Sequence, residues 1–186
     1  LGVQVTVVEV MERILPVEDE DISAFARKSF EKRGMKILTG ATVQQLQRGK
    51  DNVTATIAQG GQTVSLTVDR VIMAVGITGN IEHIGLENTA VKTDRGHIVI
   101  DQWCATGEPG VYAIGDVAGP PWLAHKASHE GVICVERIAG VKGVHPLDAG
   151  NIPGCTYCTP QVASVGFTEA KAKAAGYTVK TGKFSF

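Results

Sequence analysis

The sequence predicts an α/β fold in which short strands alternate with amphipathic helices. Short apolar segments at residues 3–8, 70–75 and 111–114 each end at an acidic residue or a glycine. Strands of open α/β sheets show this pattern where their carboxyl ends face a ligand. Apolar residues recur at helical spacing over residues 19–33, and residues 42–69 alternate between polar and apolar side chains. We therefore expect an α/β chain in which an antiparallel meander replaces a crossover helix.

Composition argues against several classes of protein. Of the 186 residues, 44% are apolar and 20% are charged, as in globular chains with a packed core. The net charge is −1 and no Lys/Arg run is present, so neither a nucleic-acid partner nor an anionic membrane surface is expected. No apolar run approaches the roughly 20 residues of a membrane helix. The four scattered cysteines do not suit the disulfide framework of a small secreted protein, which favours a reducing compartment.

The first strand, residues 3–8, carries Glu9 at its carboxyl end. In dinucleotide-binding units an acidic side chain at such a position accepts hydrogen bonds from ribose hydroxyls. Its charge disfavours a 2′-phosphate, so Glu9 favours NAD over NADP. A solvated acid without a ligand is the alternative. Leu1-Gly2 is interpreted as the end of a preceding helix.

A helix is predicted from Asp19 to Arg33, because acidic residues begin it, basic residues end it and Gly34 follows. Its apolar stripe is expected to be core and consists of Ile22, Phe25, Ala26 and Phe30. A short strand at 35–38 then leads into the meander, whose turns are expected at 49–52 and 60–61.

Residues 70–75 are interpreted as a buried strand that ends at Gly76, where a missing side chain would admit a ligand. Near the end of the chain, the sequence predicts a strand at 161–165, a short helix from Thr168 to Gly176 and an edge strand at 177–186.

The most informative segment runs from Thr106 to Gly131. A strand is predicted at 111–114, followed by Gly115 and Asp116, and a helix is predicted to start near Leu123. Asp116 would then accept hydrogen bonds from ligand hydroxyls, beside the N–H groups and partial positive charge of the helix N-terminus. An ordinary Gly-Asp turn is the alternative.

The chain resembles the flavin-dependent disulfide oxidoreductases in motifs that follow the order of that family. The matching motifs are VTVVEV, VIMAVG, the segment from Thr106 to Gly131, and NIPGCTYCTPQVASVGFTE. The motif LAHKASHEG resembles the dihydrolipoamide dehydrogenases in particular. The resemblance implies an internal to C-terminal fragment of a flavoprotein with two Rossmann-like domains, for FAD and NAD. It assigns residues 1–80 to the NAD-binding domain, 81–146 to the FAD-binding domain and 147–186 to the start of an α+β dimer-interface domain.

The resemblance also implies an activity, which is the oxidation of protein-bound dihydrolipoamide with NAD as acceptor. It implies a lipoyl domain of a 2-oxo acid dehydrogenase complex as partner, a homodimer, and a location in the bacterial cytoplasm or the mitochondrial matrix. The implied NAD contacts are Glu9, Val43 and Gly76. The implied FAD contacts are Gly115, Asp116, Trp122, Leu123, Ala124 and His125. Trp122 would pack on the flavin or merely fill the crevice.

No catalytic residue is expected within these 186 residues, and the chain alone is expected to be inactive. The family's redox cysteines are separated by four residues, whereas Cys155 and Cys158 form a C-x-x-C in a loop before Pro160. Without a helix N-terminus or a second ligand pair, a redox or zinc role for this C-x-x-C is disfavoured. No metal site is expected. The remaining histidines are interpreted as surface or loop residues: His83, His97, His129 and His145.

One turn departs from the family pattern. Many relatives carry Gly-Arg-x-Pro-Asn after the 70–75 strand, whereas residues 76–80 read Gly-Ile-Thr-Gly-Asn. Two other functions stay open: a sister enzyme such as mercuric or glutathione reductase, and a non-catalytic nucleotide-binding or interaction module. Glu9 and the LAHKA motif disfavour the sister enzymes.

Overall fold

The computed structural model describes residues 2–184, which fall into two compact units. The first unit joins the described parts of residues 1–73 and 153–186, and the second spans residues 74–152. Within residues 2–184, no helix has both the length and the apolar character needed to span a membrane. The assignment of residue ranges to cofactor domains stays a prediction.

The first unit begins with a parallel βαβ arrangement. Strand β1 (Thr6–Val8) pairs with β2 (Lys36–Leu38), and helix α1 (Glu20–Lys32) connects them. Both strands and the helix are confirmed, although β1 starts three residues later than predicted. Leu1, which was interpreted as part of a helix end, lies outside the described residues.

The predicted meander is also confirmed. Strands β3 (Ala41–Arg48), β4 (Val53–Gln59) and β5 (Gln62–Val68) form an antiparallel sheet in that order. Ala41, Ala55 and Ile57 of this sheet are buried, and they pack against half-buried residues of β1, β2 and β5, which are Val8, Leu38 and Leu66. Local signals are enough to form this sheet, because consecutive strands pair across short turns.

The predicted apolar stripe of α1 is only partly core. Ala26 is fully buried and Phe30 is half-buried, but Phe25 is 64% exposed and Ile22 is 45% exposed. The buried face is centred on Ser23, Ala26 and Phe30, and the Ser23 hydroxyl donates to the Leu15 carbonyl at 2.9 Å. Ile22 and Phe25 project to one side of that face.

The predicted strand at 70–75 is wrong. These residues form no strand, and Ile72 is 90% exposed. A strand buried on both faces needs neighbouring strands and covering helices. The described part of the chain pairs no strand with this segment.

The second unit is mostly irregular and contains one long helix. Strands β6 (Thr93–Asp94) and β7 (His97–Ile98) form a minimal hairpin. A 3₁₀ helix spans Gly115–Ala118, and α2 (Ala124–Ile138) begins as predicted after Leu123. The predicted strand at 111–114 is reduced to one antiparallel bridge between Ala105 and Tyr112, so this interpretation is wrong. Its backbone partner is the segment at 104–106 rather than a parallel strand.

The remainder of the first unit follows the sequence prediction more closely. Strand β8 (Gly154–Thr156) pairs with β9 (Val162–Ser164), and helix α3 (Glu169–Ala174) follows. The Thr168 hydroxyl caps α3 by accepting the Lys171 N–H at 3.2 Å. Residues 177–184 form no strand, contrary to prediction, and residues 185–186 of that predicted strand lie outside the described range.

Two carboxylates at the start of α1 connect the separated parts of the first unit. Asp19 is the N-cap residue of α1, yet its side chain accepts the backbone N–H of Glu169 at 2.9 Å. The buried Glu18 carboxylate accepts the Ser164 hydroxyl at 3.2 Å. These bonds join residues that are 146 and 150 positions apart in sequence.

We predict that Ile57→Ala lowers the free energy of unfolding by about 2–5 kcal/mol, because it leaves a cavity at a position that is 1% exposed. Ile72→Ala makes the same chemical change at a 90% exposed position and should cost less than about 0.5 kcal/mol. Urea unfolding of the two variants measures both values. A large loss at Ile72 would restore the buried strand that the sequence predicts.

Candidate functional site

Glu9 lies at the carboxyl end of β1 and its backbone is bonded on both sides. Its N–H donates to the Leu38 carbonyl at 2.8 Å, and its carbonyl accepts the Ala41 N–H at 3.0 Å. Carboxylate oxygen Oε1 accepts the Met11 N–H at 2.8 Å. The half-buried carboxylate is therefore oriented by its own strand end, as a recognition acid requires.

The other two residues that were predicted near NAD have distinct environments. Val43 is 39% exposed and borders a register shift between β3 and β4, where a bulge redirects side chains. Gly76 belongs to the second unit and has φ +129°, a conformation that L side chains rarely adopt. A Cβ at Gly76 would meet nothing within 4 Å, so the space beside it is open.

The departure at residues 76–80 has a structural reason. Gly79 occupies the proline position of the family pattern that the resemblance implies, and its N–H donates to the Gly96 carbonyl at 2.9 Å. Proline has no N–H to donate. A Cβ at Gly79 would also lie 2.9 Å from the same carbonyl oxygen. This turn therefore uses a glycine–glycine backbone contact in place of the proline.

Gly115 and Asp116 begin the 3₁₀ helix that precedes α2. Gly115 is buried with φ +74°, and a Cβ there would lie 3.2 Å from the Ala127 Cβ on α2. Both the backbone conformation and the contact with α2 therefore require glycine. Asp116, the next residue, is exposed. Asp116 therefore belongs to a 3₁₀ helix that contacts the first turn of α2 at Ala127.

The N-terminus of α2 has no side-chain cap. Leu123 occupies the N-cap position and makes no side-chain hydrogen bond to the first turn. Ala124 is exposed and His125 is half-buried in that turn. An N-terminus of this kind offers N–H groups and partial positive charge to a polar or anionic ligand.

Trp122 is fixed by a contact that sequence reasoning missed. Its indole Nε1–H donates to His97 Nε2 at 3.2 Å, and the two rings are stacked with centroids 5.8 Å apart. His97 Nδ1 lies 3.1 Å from the Arg95 carbonyl, so a neutral imidazole protonated at Nδ1 satisfies both contacts. His97 is therefore more than a surface histidine. No sequence signal connects it to Trp122, which is 25 positions away.

A buried ion pair lies under the Gly115–Gly119 segment and was also missed. Lys126 Nζ lies 3.0 Å from Glu130 Oε1, and the two side chains are 6% and 8% exposed. Lys126 also donates to the carbonyls of Gly115 at 3.2 Å and Gly119 at 2.9 Å. Glu130 Oε2 accepts the Gly115 N–H at 2.7 Å. The i,i+4 spacing could have indicated the pair, but such pairs usually lie on solvent-exposed helix faces.

The buried face of α2 is consequently polar, whereas its apolar flank is exposed. Lys126, Glu130 and Cys134 are the buried residues of the helix. Val135 is 64% exposed and Ile138 is 57% exposed. Helical periodicity therefore located the helix correctly without identifying the face that packs within this unit.

The four cysteines are free and have different surroundings. Burial, together with the Glu130 carboxylate, raises the pKa of Cys104 to about 11, so this thiol stays protonated. Cys158 Sγ donates to the Pro160 carbonyl at 2.9 Å, and Cys155 is exposed on β8. Among residues 2–184, no group of three or more His, Cys, Asp or Glu side chains is arranged to hold a metal ion.

Comparison with protein families gives two matches in sequence order. Residues 1–131 match the pyridine nucleotide-disulphide oxidoreductase family. Residues 152–186 match the dimerisation domain of the pyridine nucleotide-disulphide oxidoreductases.

Curated relatives match along the whole chain. The dihydrolipoyl dehydrogenase of Rhizobium etli is 59% identical over 100% of this chain and 39% of the relative. Dihydrolipoyl dehydrogenases of Zymomonas mobilis and Bacillus subtilis are 50% and 45% identical, and the chain covers 40% and 39% of them. The chain therefore spans about 40% of the length of these relatives.

Solved structures confirm the α/β fold class. LpdA from Mycobacterium tuberculosis aligns with a TM-score of 0.83 and 28% identity, over 94% of this chain and 37% of that structure. The HOCl-induced flavoprotein disulfide reductase RclA from Escherichia coli aligns with a TM-score of 0.82. Its identity is 25%, over 94% of this chain and 40% of that structure. Both alignments place nearly the whole chain within the fold of a larger protein.

We predict that Gly115→Ala destabilises the chain more than Gly110→Ala. Both glycines have positive φ, at +74° and +78°, so both variants bear a similar backbone cost of about 1 kcal/mol. Only the Cβ at position 115 would press on α2, which adds about 1–3 kcal/mol. Urea unfolding measures the difference. Equal losses would show that α2 yields to the added methyl group.

Proposed function

This chain belongs to the pyridine nucleotide-disulphide oxidoreductase family, and we propose that it forms part of a dihydrolipoyl dehydrogenase that binds FAD and NAD. The relatives that support this activity are 41–59% identical over the whole chain. The proposed reaction oxidises protein-bound dihydrolipoamide and reduces NAD. Since the chain spans about 40% of those relatives, the activity belongs to the longer protein in this proposal.

The observation that carries the proposal is the placement of Asp116. Asp116 is exposed and follows the buried Gly115, which contacts Lys126 and Ala127 in the uncapped first turn of α2. A ribityl chain presents hydroxyl groups from which an aspartate can accept hydrogen bonds. The N-terminus of α2 can stabilise negative charge on the cofactor. This donor and acceptor set fits FAD. In the proposed site, Gly115, Trp122, Leu123, Ala124 and His125 line the cofactor around Asp116.

When bound, FAD carries electrons between a dithiol and NAD. The residues of this chain bind and orient the cofactor rather than react. Asp116 accepts hydrogen bonds, Trp122 is held in place by His97, and α2 supplies its partial positive charge. The redox thiols and the base are assigned to residues outside this chain.

Glu9 is the proposed recognition residue for NAD. Its carboxylate is fixed by the Met11 N–H at the end of β1, where it can accept hydrogen bonds from the adenosine ribose. A 2′-phosphate would bring like charges together, which favours NAD over NADP. Val43 at the bulge of β3 and Gly76 with its open space are the other proposed NAD contacts.

The same proposal includes the oligomeric state, the domains, the partner and the location of the enzyme. The match of residues 152–186 to a dimerisation domain supports a homodimer. The proposed domains are 1–80 for NAD, 81–146 for FAD and 147–186 for the interface. The proposed partner is a lipoyl domain of a 2-oxo acid dehydrogenase complex, in the bacterial cytoplasm or the mitochondrial matrix.

We predict that Glu9→Ala in the longer protein weakens NAD binding roughly tenfold or more, because each lost charge-assisted hydrogen bond contributes about 1.5–3 kcal/mol. Glu9→Arg should also shift preference towards NADP. Steady-state KM values for both nucleotides test this, with the exposed Glu87→Ala as the control. Unchanged KM values in the Glu9 variants would remove Glu9 from the site.

We predict that Asp116→Leu in the longer protein weakens FAD binding roughly tenfold or more, since ribityl hydroxyls lose their acceptor. The flavin-to-protein absorbance ratio after gel filtration measures the loss. Asp51→Leu changes an exposed acid in the β3–β4 turn and should retain FAD. Cys155→Ser combined with Cys158→Ser should also leave flavin content and turnover nearly unchanged. Stoichiometric FAD in the Asp116 variant would contradict the proposed site.

A further inference from the structure

We propose that the buried Lys126–Glu130 pair is a positioning device that orients Asp116 and thereby sets the affinity for FAD. The inference rests on the proposed FAD site and assigns a role to two residues that do not touch the cofactor. Both side chains bond to the backbone on either side of Asp116 rather than to its carboxylate.

Burial of the two charged side chains carries a free-energy cost. The two side chains are 6% and 8% exposed, and removing an ion from water costs several kcal/mol even in a relaxed protein. Apolar residues of similar volume often stabilise a fold as well as a buried ion pair does. Stability alone therefore does not account for charged residues at these two positions. The pair differs from an apolar pair in the hydrogen bonds that it makes.

The hydrogen bonds of the pair go to the backbone around Asp116. Gly115 is bonded through its N–H to Glu130 and through its carbonyl to Lys126. The Gly119 carbonyl accepts from the same Lys126 ammonium group. Asp116 lies between these two glycines, and its own carbonyl accepts the Gly119 N–H at 3.1 Å. The backbone that carries Asp116 is therefore held at both ends.

The space beside the ion pair is not filled by side chains. A cavity of about 230 Å³ borders the pair, and it is lined by Lys126 and Glu130 together with Cys104, Ala118 and Pro120, among others. Side-chain packing is therefore incomplete on that side of the 3₁₀ helix. The hydrogen bonds of Lys126 and Glu130 therefore hold the segment together with the close contact between Gly115 and Ala127.

The sharpest test replaces both charges with apolar groups, as Lys126→Met/Glu130→Leu in the longer protein. The expected result is a folded apoprotein whose melting temperature lies below that of the parent, because the Gly115 N–H and the Gly115 and Gly119 carbonyls lose their partners. Its dissociation constant for FAD, measured by quenching of flavin fluorescence, should rise roughly tenfold or more. Lys142→Met, which changes an exposed lysine of the same unit, should leave the dissociation constant unchanged.

Adding Asp116→Leu to that variant separates positioning from a general structural role. If the pair acts through Asp116, the triple variant binds FAD no more weakly than Asp116→Leu alone, because the oriented group is already gone. Additive losses would overturn the inference, as would FAD affinity within twofold of the parent in the folded double variant. If the double variant does not fold, Lys126→Met, which removes the bonds to the Gly115 and Gly119 carbonyls, is judged by the same two criteria.

Failure of the inference differs from failure of the proposed function. An Asp116→Leu variant with unchanged FAD affinity would remove the cofactor site itself. An Asp116→Leu variant with weakened affinity, beside a double variant with normal affinity, would keep the site and remove only the role of the pair.

Discussion

The Lys126–Glu130 ion pair is the interaction that holds the segment carrying Asp116 in the second unit. That unit has few regular strands, so backbone ladders do not order its loops. The pair binds the segment before α2 through three backbone groups, and it does so from the buried face of the helix. The helix thereby acts as a rigid support for a loop that sheet pairing would otherwise hold.

The first unit solves a related problem with different groups. Residues 153–184 are distant in sequence from α1, and carboxylates at the start of that helix connect the two. Glu18 accepts from Ser164, and Asp19 accepts from the first N–H of α3. Asp19 also contributes negative charge near the N-termini of both helices. In both units, hydrogen bonds to charged side chains join elements that share little apolar surface.

Sequence-based prediction was accurate for features that residues close in sequence determine, and it failed for features that depend on residues far apart in sequence. The meander and all three helices were predictable because turns, caps and short-range spacing determine them. The strands at 70–75 and 111–114 were not, since an apolar segment becomes a strand only when a partner strand pairs with it. Asp116 was found from its place between an apolar segment and a helix. Lys126 and Glu130 were not found, because charged residues are ordinarily assigned to the surface. His97 was missed because its contact with Trp122 leaves no pattern in the sequence.

The raised pKa of Cys104 has a consequence for electron flow. With a pKa of about 11, on the order of one molecule in ten thousand carries the thiolate at pH 7. Thiolates, not thiols, attack disulfides, so this sulfur is kinetically silent towards exchange. The proposed substrate of the longer protein is itself a dithiol, and a protonated thiol does not exchange with the disulfide form of such a substrate. Cys104, which is 4% exposed, is therefore not expected to form a mixed disulfide with such a dithiol.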